Sequence, residues 1–257
     1  YRGEKPQKGR FREFYQCDID IIDQKTLDPV NDAEIAAVIY YVFKDLGIGD
    51  FVIYLNNRKL IGGFVEFLGL GDKKEDIIRV IDKLDKAGLD GVKKEFEKLG
   101  IGDMEIEKIM QLVSINGSSS EVFEQLESLG VGNKLFSEGL DELKNLAENL
   151  KNMEIPESSW EIKPSIARGL DYYTGTVYET FLVDYPDIGS ICSGGRYDDL
   201  ASYFTKDKLP GVGVSIGLTR LFDQLNQVGL IDKKQLKPTK FLIASVDIPE
   251  EKCFRIA

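Results

Sequence analysis

The sequence contains no histidine, and that absence excludes several classes of function. Ser-His and Cys-His nucleophile systems need an imidazole base, and His-ligated metal sites need imidazole ligands. The three cysteines, Cys17, Cys192 and Cys253, are scattered and indicate neither a metal cluster nor a disulfide framework, which favours a reducing compartment. Apolar runs are far shorter than a membrane span and no secretory signal is recognisable, so we expect a cytoplasmic protein without a membrane partner.

Positive charge is also scarce, because 33 Lys and Arg residues face 44 Asp and Glu residues, a net charge of −11. That balance argues against non-specific binding of nucleic acid, so a nucleic-acid partner has to be met by local basic patches. One such patch lies at the start of the sequence. Its basic residues are Arg2, Lys5, Lys8, Arg10 and Arg12, against Glu4 and Glu13.

The 257 residues combine strand-like and helical patterns, with one purely helical stretch between them. Residues 73–152 have helical apolar spacing, no proline and no strand-like run, whereas strand-like runs lie on both sides. We therefore predict an α+β fold that carries an all-helical insertion domain. The predicted segments are 1–72, 73–152, 153–232 and 233–257.

Four short glycine motifs of the form Leu-Gly-x-Gly-Asp/Asn follow helical patterns. They are Leu46–Asp50, Leu68–Asp72, Leu99–Asp103 and Leu129–Asn133. We predict that a left-handed glycine ends one helix in each motif and that, in the last three, Asp or Asn caps the next helix. A phosphate-binding loop is the alternative interpretation, but the GxGxxG and GxxxxGK[ST] spacings are absent.

The segment Arg10–Ile22 alternates as a strand does, and it places Phe14, Gln16 and Asp20 on one face. The solvent-facing side of a sheet accounts for the same polar row. Other predicted elements are a helix at Asp32–Asp45, strands at Phe51–Leu55, Thr176–Val183 and Pro210–Gly217, and a helix at Leu218–Gln227, while Ile191–Asp198 couples a glycine pair to an arginine. The glycines of the last strand allow close backbone approach, and the helix N-terminus that follows favours an anion near Arg220.

Four arginines stand beside glycine or aromatic residues, namely Arg2, Arg10, Arg168 and Arg220. Taken singly, each is better explained as the partner in a surface ion pair. Fixed guanidinium groups from separate segments, however, suit a polyphosphate whose charge redistributes in a transition state. The four together therefore favour a phosphate-containing substrate.

Five stretches match motifs of a known family: Tyr1–Glu4, Arg10–Phe14, Arg168–Gly175, Ser193–Asp198 and Gly211–Arg220. On them the chain resembles the class II aminoacyl-tRNA synthetases, and specifically the histidyl-tRNA synthetases. The first two are similar to the halves of motif 2, the last is similar to motif 3, and the other two resemble histidine-specific signatures. The resemblance implies a class II antiparallel sheet flanked by helices. It also implies activation of L-histidine by ATP with Mg²⁺, followed by transfer to tRNA(His).

The same resemblance implies a role for each matching residue. The implied ATP contacts are Arg2 at the α-phosphate, Glu4 at the adenine amino group, Phe14 on the adenine ring, and Arg10 and Arg220 at the β- and γ-phosphates. The implied histidine contacts are Arg2, Gln16 and Arg168 around the carboxylate, and Asp20, Tyr172 and Tyr173 at the imidazole. Arg2 and Arg168 are the implied catalytic residues, and no metal ligand is assigned.

The chemistry of the residues agrees with those roles. One carboxylate and one phenol satisfy the two ring nitrogens of an imidazole and reject apolar competitors. The substrate carboxylate itself attacks, so the absence of histidine from the protein costs the mechanism nothing. Two positions depart from the family pattern: Asp20 and Thr219 each stand where glutamate is common.

The family's motif 1, which builds its homodimer, and most of its anticodon-binding domain have no counterpart in the sequence, which also begins without methionine. We therefore expect a fragment that is inactive alone. In this interpretation 1–72 and 153–232 form the catalytic domain, and 233–257 is a linker with the first strand of an anticodon-binding domain. The main alternative is a non-catalytic relative, either a histidine-sensing domain or the regulatory subunit of ATP phosphoribosyltransferase. A plain binding module is the more distant one.

Overall fold

The structure is a computed structural model that describes residues 1–3, 5, 11–167 and 172–231. The strands it contains are β1 (Cys17–Ile22), β2 (Phe51–Asn57), β3 (Trp160–Ile162), β4 (Thr176–Leu182), β5 (Cys192–Tyr197) and β6 (Gly211–Ile216). They form one sheet in the order β1-β6-β5-β4-β2-β3. Neighbouring strands are antiparallel, apart from the parallel pair β2 and β3. The segment 233–257, with its predicted strand, lies outside the described residues.

Helices flank this sheet. They are α1 (Val30–Leu46), α2 (Arg58–Phe67), α3 (Lys74–Ile81), α4 (Leu84–Lys98), α5 (Asp103–Val113), α6 (Ser119–Ser128), α7 (Lys134–Asn152) and α8 (Leu218–Gln227). The predicted α+β class is therefore confirmed. Among the described residues, no helix is both long enough and apolar enough to cross a bilayer.

The strand predicted at Arg10–Ile22 is shorter than expected, because β1 begins only at Cys17. From Cys17 onward the chain pairs with β6 along its whole length. Just before it, the backbone N–H of Tyr15 donates to Thr219 Oγ1 at 2.7 Å, and the N–H of Thr219 donates back to the Tyr15 carbonyl at 3.3 Å. These two bonds hold residues 14–16 against the start of α8, so these residues do not extend the strand.

Residues 73–152, all of which the structure describes, contain α3 to α7 and no strand. The last of these helices returns to the sheet side and packs closely on α2. A Cβ atom on Gly139 would lie 2.5 Å from the backbone nitrogen of Leu60, and one on Gly63 would overlap the backbone of Phe136. The two helices therefore touch backbone to backbone. The boundaries of an insertion domain stay a prediction.

The glycine motifs end helices as predicted. Their first glycines all have left-handed φ angles of 59°, 75°, 68° and 60° at Gly47, Gly69, Gly100 and Gly130. The capping part of the prediction is correct for Asn133, whose side chain accepts from the N–H of Phe136 at 3.1 Å. It is wrong for Asp72 and Asp103, because Asp72 lies within a 3₁₀ turn and Gly102 occupies the N-cap of α5.

The sheet packs on α1 through a buried polar cluster. Asp32 of α1 accepts hydrogen bonds from Thr176 Oγ1 at 2.7 Å and from Arg196 Nε at 3.0 Å. Arg196 Nη2 lies 2.9 Å from the same carboxylate, and Tyr178 donates its hydroxyl to the Asp32 carbonyl at 2.9 Å. Burial raises the pKa of the Asp32 carboxyl, and the hydrogen bonds from Arg196 and Thr176 oppose that rise. Thr176, Tyr178 and Arg196 therefore lie on the sheet face towards α1, and the residues next to them in β4 and β5 lie on the other face.

Candidate functional site

On the sheet face turned away from α1, residues of neighbouring strands are aligned in rows. Successive residues of a strand point to opposite faces, so the strand registers identify the residues that share this face. One row consists of Asp20, Gly213, Gly195 and Val177, and the next consists of Asp18, Ser215, Ser193 and Glu179. Four different strands thus contribute to each row.

Glycine at two places in the first row makes room above the sheet. A Cβ atom on Gly213 would overlap the carboxylate of Asp20, and one on Gly195 would lie 2.9 Å from Cδ1 of the Tyr173 ring. Asp20 and Tyr173 therefore occupy the volume that side chains would otherwise fill.

A cleft of about 380 Å³ opens on this face. Six of the residues implied by the sequence motifs line it, namely Arg2, Phe14, Gln16, Tyr172, Tyr173 and Arg220. They come from three separate parts of the sequence, and the fold brings them together. Three other implied residues, Glu4, Arg10 and Arg168, lie outside the described residues.

Arg2, Phe14 and Gln16 form a connected group at one side of the cleft. The guanidinium carbon of Arg2 lies 4.8 Å from the centroid of the Phe14 ring, within the range of a cation–π contact. Arg2 Nη2 also donates to Gln16 Oε1 at 3.2 Å, and Gln16 Nε2 donates to the hydroxyl of Ser215. A cation and an aromatic ring are thereby oriented by a hydrogen-bonded chain anchored on β6.

Arg220 lies in the first turn of α8 and also lines the cleft. Its Nη2 donates to the carbonyl of Ile188 at 3.2 Å, and Gln224 Nε2 donates to the same carbonyl at 2.7 Å. The N-terminus of a helix carries partial positive charge that adds to that of the guanidinium. This side of the cleft is therefore suited to a polyanion.

Two phenolic side chains, Tyr172 and Tyr173, line another part of the cleft, whereas the predicted site residue Asp20 is exposed on β1 and is not among the lining residues. The rings of Tyr172 and Tyr173 lie 4.5 Å apart between centroids, and their hydroxyl oxygens are 3.4 Å apart. Tyr197 donates its hydroxyl to Asp20 Oδ1 at 2.7 Å. Burial, and then the hydrogen bond between the two tyrosine hydroxyls, raises the pKa of Tyr173, while burial, and then the bond that its hydroxyl donates to Asp20, raises the pKa of Tyr197. Both phenols keep their protons at neutral pH and remain donors.

The sequence motifs did not assign Tyr197 or Ser215 to the site. Strand alternation could have identified Tyr197, because residues two apart in a strand share a face and Tyr197 is two residues after Gly195 in β5. Ser215 has the same relation to Gly213 in β6. Arg196, between Gly195 and Tyr197, points the other way and binds Asp32.

Cys192 also lines the cleft, but its chemistry is that of a buried neutral thiol. Burial raises its pKa to about 12, so the reactive thiolate is scarce at neutral pH. Among the described residues, no group of three or more Cys, Asp or Glu side chains is arranged to hold a metal ion. The cleft is thus equipped to bind and orient, by hydrogen bonds and positive charge.

Comparison with known proteins relates the chain to one family. The family model described as histidyl-tRNA synthetase matches residues 1–221. A histidine–tRNA ligase of Clostridium tetani is 54% identical over 231 residues, which cover 90% of this chain and 52% of the relative. The crystal structure of histidyl-tRNA synthetase from Nostoc matches with a TM-score of 0.84 and 42% identity, over 86% of this chain and 52% of that one.

A second solved structure, from Bacillus halodurans, is described as an ATP phosphoribosyltransferase regulatory subunit/histidyl-tRNA synthetase. It matches with a TM-score of 0.72 and 21% identity over 86% of this chain and 55% of that one, so the two share the fold. The chain spans about half the length of the curated relatives it matches.

Proposed function

The chain belongs to the histidyl-tRNA synthetase family, and on that premise we propose that it forms the ATP- and histidine-binding core of a histidine–tRNA ligase. The observation that carries the proposal is the cleft, which gathers six motif residues from three parts of the sequence. The cleft offers guanidinium groups, an aromatic ring and the phenols of Tyr172 and Tyr173. The carboxylate of Asp20 lies near Tyr173 and is held by Tyr197. ATP and histidine have the complementary chemistry.

The first reaction joins the carboxylate of histidine to the α-phosphorus of ATP and releases pyrophosphate. The substrate supplies the nucleophile, so the protein acts by orientation and by stabilising charge on the phosphoryl oxygens. We assign the α-phosphate and carboxylate to Arg2 and Arg168, and the β- and γ-phosphates to Arg10 and Arg220. Phe14 stacks on adenine by the ring face that Arg2 leaves open, and Glu4 binds the adenine amino group.

Histidine recognition falls to the tyrosine pair in the cleft and to the neighbouring Asp20. Asp20 accepts from one ring nitrogen, while Tyr173 and its neighbour Tyr172 supply a phenolic donor to the other. The bond from Tyr197 fixes the orientation of the Asp20 carboxylate. Gln16, which is bonded to Arg2 and Ser215, binds the amino and carboxylate end of the substrate.

In the second reaction the activated histidyl group passes to the 3′ end of tRNA(His). Mg²⁺ accompanies ATP, where it neutralises phosphate charge; carboxylate clusters for a separate metal are absent among the described residues. A homodimer in the cytoplasm is the family's arrangement, and we extend it to the full-length protein as part of this proposal.

Histidine-dependent exchange of pyrophosphate into ATP tests the proposed first reaction directly. We expect the full-length protein to catalyse exchange with L-histidine and to give no signal with phenylalanine or glutamine. Stable histidine binding without any exchange would instead favour a non-catalytic, histidine-sensing relative.

Asp20→Asn should raise the KM for histidine about 10- to 100-fold, because one charge-assisted hydrogen bond to the imidazole is lost. The kcat for pyrophosphate exchange should change much less. Asp23→Asn is the matched control, since Asp23 follows β1 and its carboxylate binds the neighbouring N–H of Gln24. An unchanged KM for histidine in Asp20→Asn would remove Asp20 from the recognition site.

A further inference from the structure

Arg58 holds the chain on both sides of residues 168–171. Its side-chain Nη1 donates to the carbonyl of Ala167 at 3.2 Å, immediately before that stretch. Its backbone N–H donates to the carbonyl of Gly175 at 2.9 Å, shortly after it. One residue at the junction of β2 and α2 therefore contacts the incoming and the outgoing chain.

The incoming chain has a second anchor in the neighbouring Asn56. This side chain is fully buried, and its Nδ2 donates to the carbonyls of Pro164 at 3.0 Å and Ile166 at 2.7 Å. Hydrogen bonds from a buried side-chain amide to backbone carbonyls fix the path of the chain. If such a bond breaks, a buried polar group is left without a hydrogen-bond partner. Residues 164–167 thus reach position 168 along a path set by two side chains.

The other end of the Arg58 guanidinium connects to the helical segment. Nη2 of Arg58 lies 3.2 Å from Glu75 Oε2, in the first turn of α3. The Arg58 side chain is only 7% exposed, whereas that of Glu75 is 46% exposed. A single guanidinium therefore bridges α3 and the backbone that leads into residue 168.

We propose that Arg58 is a positioning residue for Arg168, and that its ion pair with Glu75 ties this placement to α3. The inference rests on the proposed function, in which Arg168 stabilises the transition state of histidine activation. Arg58 itself touches no substrate in this scheme; it acts through the backbone of Ala167.

The geometry predicts which kinetic constant responds. Replacing the Arg58 side chain removes the anchor at Ala167. It keeps the Asn56 bonds to Pro164 and Ile166 and the backbone bond to Gly175. Small misplacement of a catalytic group costs rate, up to about 10²-fold for 1 Å. The kcat should therefore fall while the KM for histidine is retained.

Three variants of the full-length protein test whether Arg58 positions Arg168. Arg58→Met should lower the kcat of pyrophosphate exchange about 10- to 100-fold with the KM for histidine within about twofold. Glu75→Gln, which removes only the charge partner, should lower it about three- to fivefold. Glu66→Gln is the matched control, because Glu66 also links α2 to α3 through Lys74 at 3.3 Å without contacting residues 164–167; its kcat should stay within about twofold of wild type.

Amide hydrogen exchange supplies a readout that is independent of activity. Arg58→Met should speed exchange in peptides covering 163–167 by about tenfold and leave those covering 176–182 unchanged. If the wild-type protein shows no histidine-dependent exchange of pyrophosphate into ATP, the proposed function fails. The rates of amide hydrogen exchange still test whether Arg58 fixes residues 163–167. Wild-type kcat in both Arg58→Met and Glu75→Gln, or an equal loss in Glu66→Gln, would overturn the positioning role.

Discussion

Arg168→Ala is expected to lower the rate of histidine activation about 10²–10³-fold, the usual effect of losing one preorganised donor to a developing charge. The affinity for histidine should change little, because the charge that Arg168 would stabilise grows only as the α-phosphorus is attacked. Single-turnover formation of the adenylate, measured beside equilibrium binding of histidine, separates the two effects.

Arg79→Ala is the control for that experiment, since Arg79 lies on α3 with its side chain 58% exposed and pairs with Asp76 within the same helix. It should leave both quantities at wild-type values. A collapse of histidine affinity in Arg168→Ala, with the rate little changed, would contradict the transition-state role. Arg168 would then be a substrate-binding residue only.

Arg196→Met is expected to destabilise the folded protein by about 3–5 kcal/mol, the typical cost of leaving one member of a buried ion pair alone. The guanidinium binds the Asp32 carboxylate through two nitrogens and also donates to the carbonyls of Leu27 and Asp28. Methionine keeps the length of the side chain but none of these bonds. Thermal unfolding followed by circular dichroism should show a clear drop in Tm.

The same substitution at an exposed ion pair gives the comparison. Arg79→Met should cost less than about 1 kcal/mol, because water screens a surface pair and competes for it. Equal effects of Arg196→Met and Arg79→Met would mean that the contact between α1 and the sheet does not depend on the ion pair.

Several elements outside residues 73–152 could be predicted well because glycine spacing and alternation are local signals. The helix at Leu218–Gln227 was predicted with the bounds that the structure has, and β4 differs from its prediction by one residue. The first strand was less predictable. Phe14 and Gln16 were expected to share a strand face with Asp20, yet they precede β1 and line the cleft because Tyr15 is bonded to Thr219. That bond joins residues 204 positions apart, which a local pattern does not reveal.

The partners of the candidate site were the least predictable part. Tyr197 binds Asp20 across an intervening strand, since β6 separates β5 from β1. Strand order and register decide this contact, and both depend on pairings far apart in sequence. Arg196 binds Asp32 on one face of the sheet and Tyr197 binds Asp20 on the other, because adjacent residues of one strand point to different faces.

The contact between α2 and α7 has an evolutionary consequence. Gly63 and Phe136 touch through their backbones although 73 positions separate them, so the chain between them is a loop closed at its base. The entropy of closing a loop changes slowly with its length, by about 0.6 kcal/mol for each doubling. Descendants of this fold can therefore gain or lose helices between α3 and α7 at small entropic cost, as long as Glu75 of α3 stays beside Arg58.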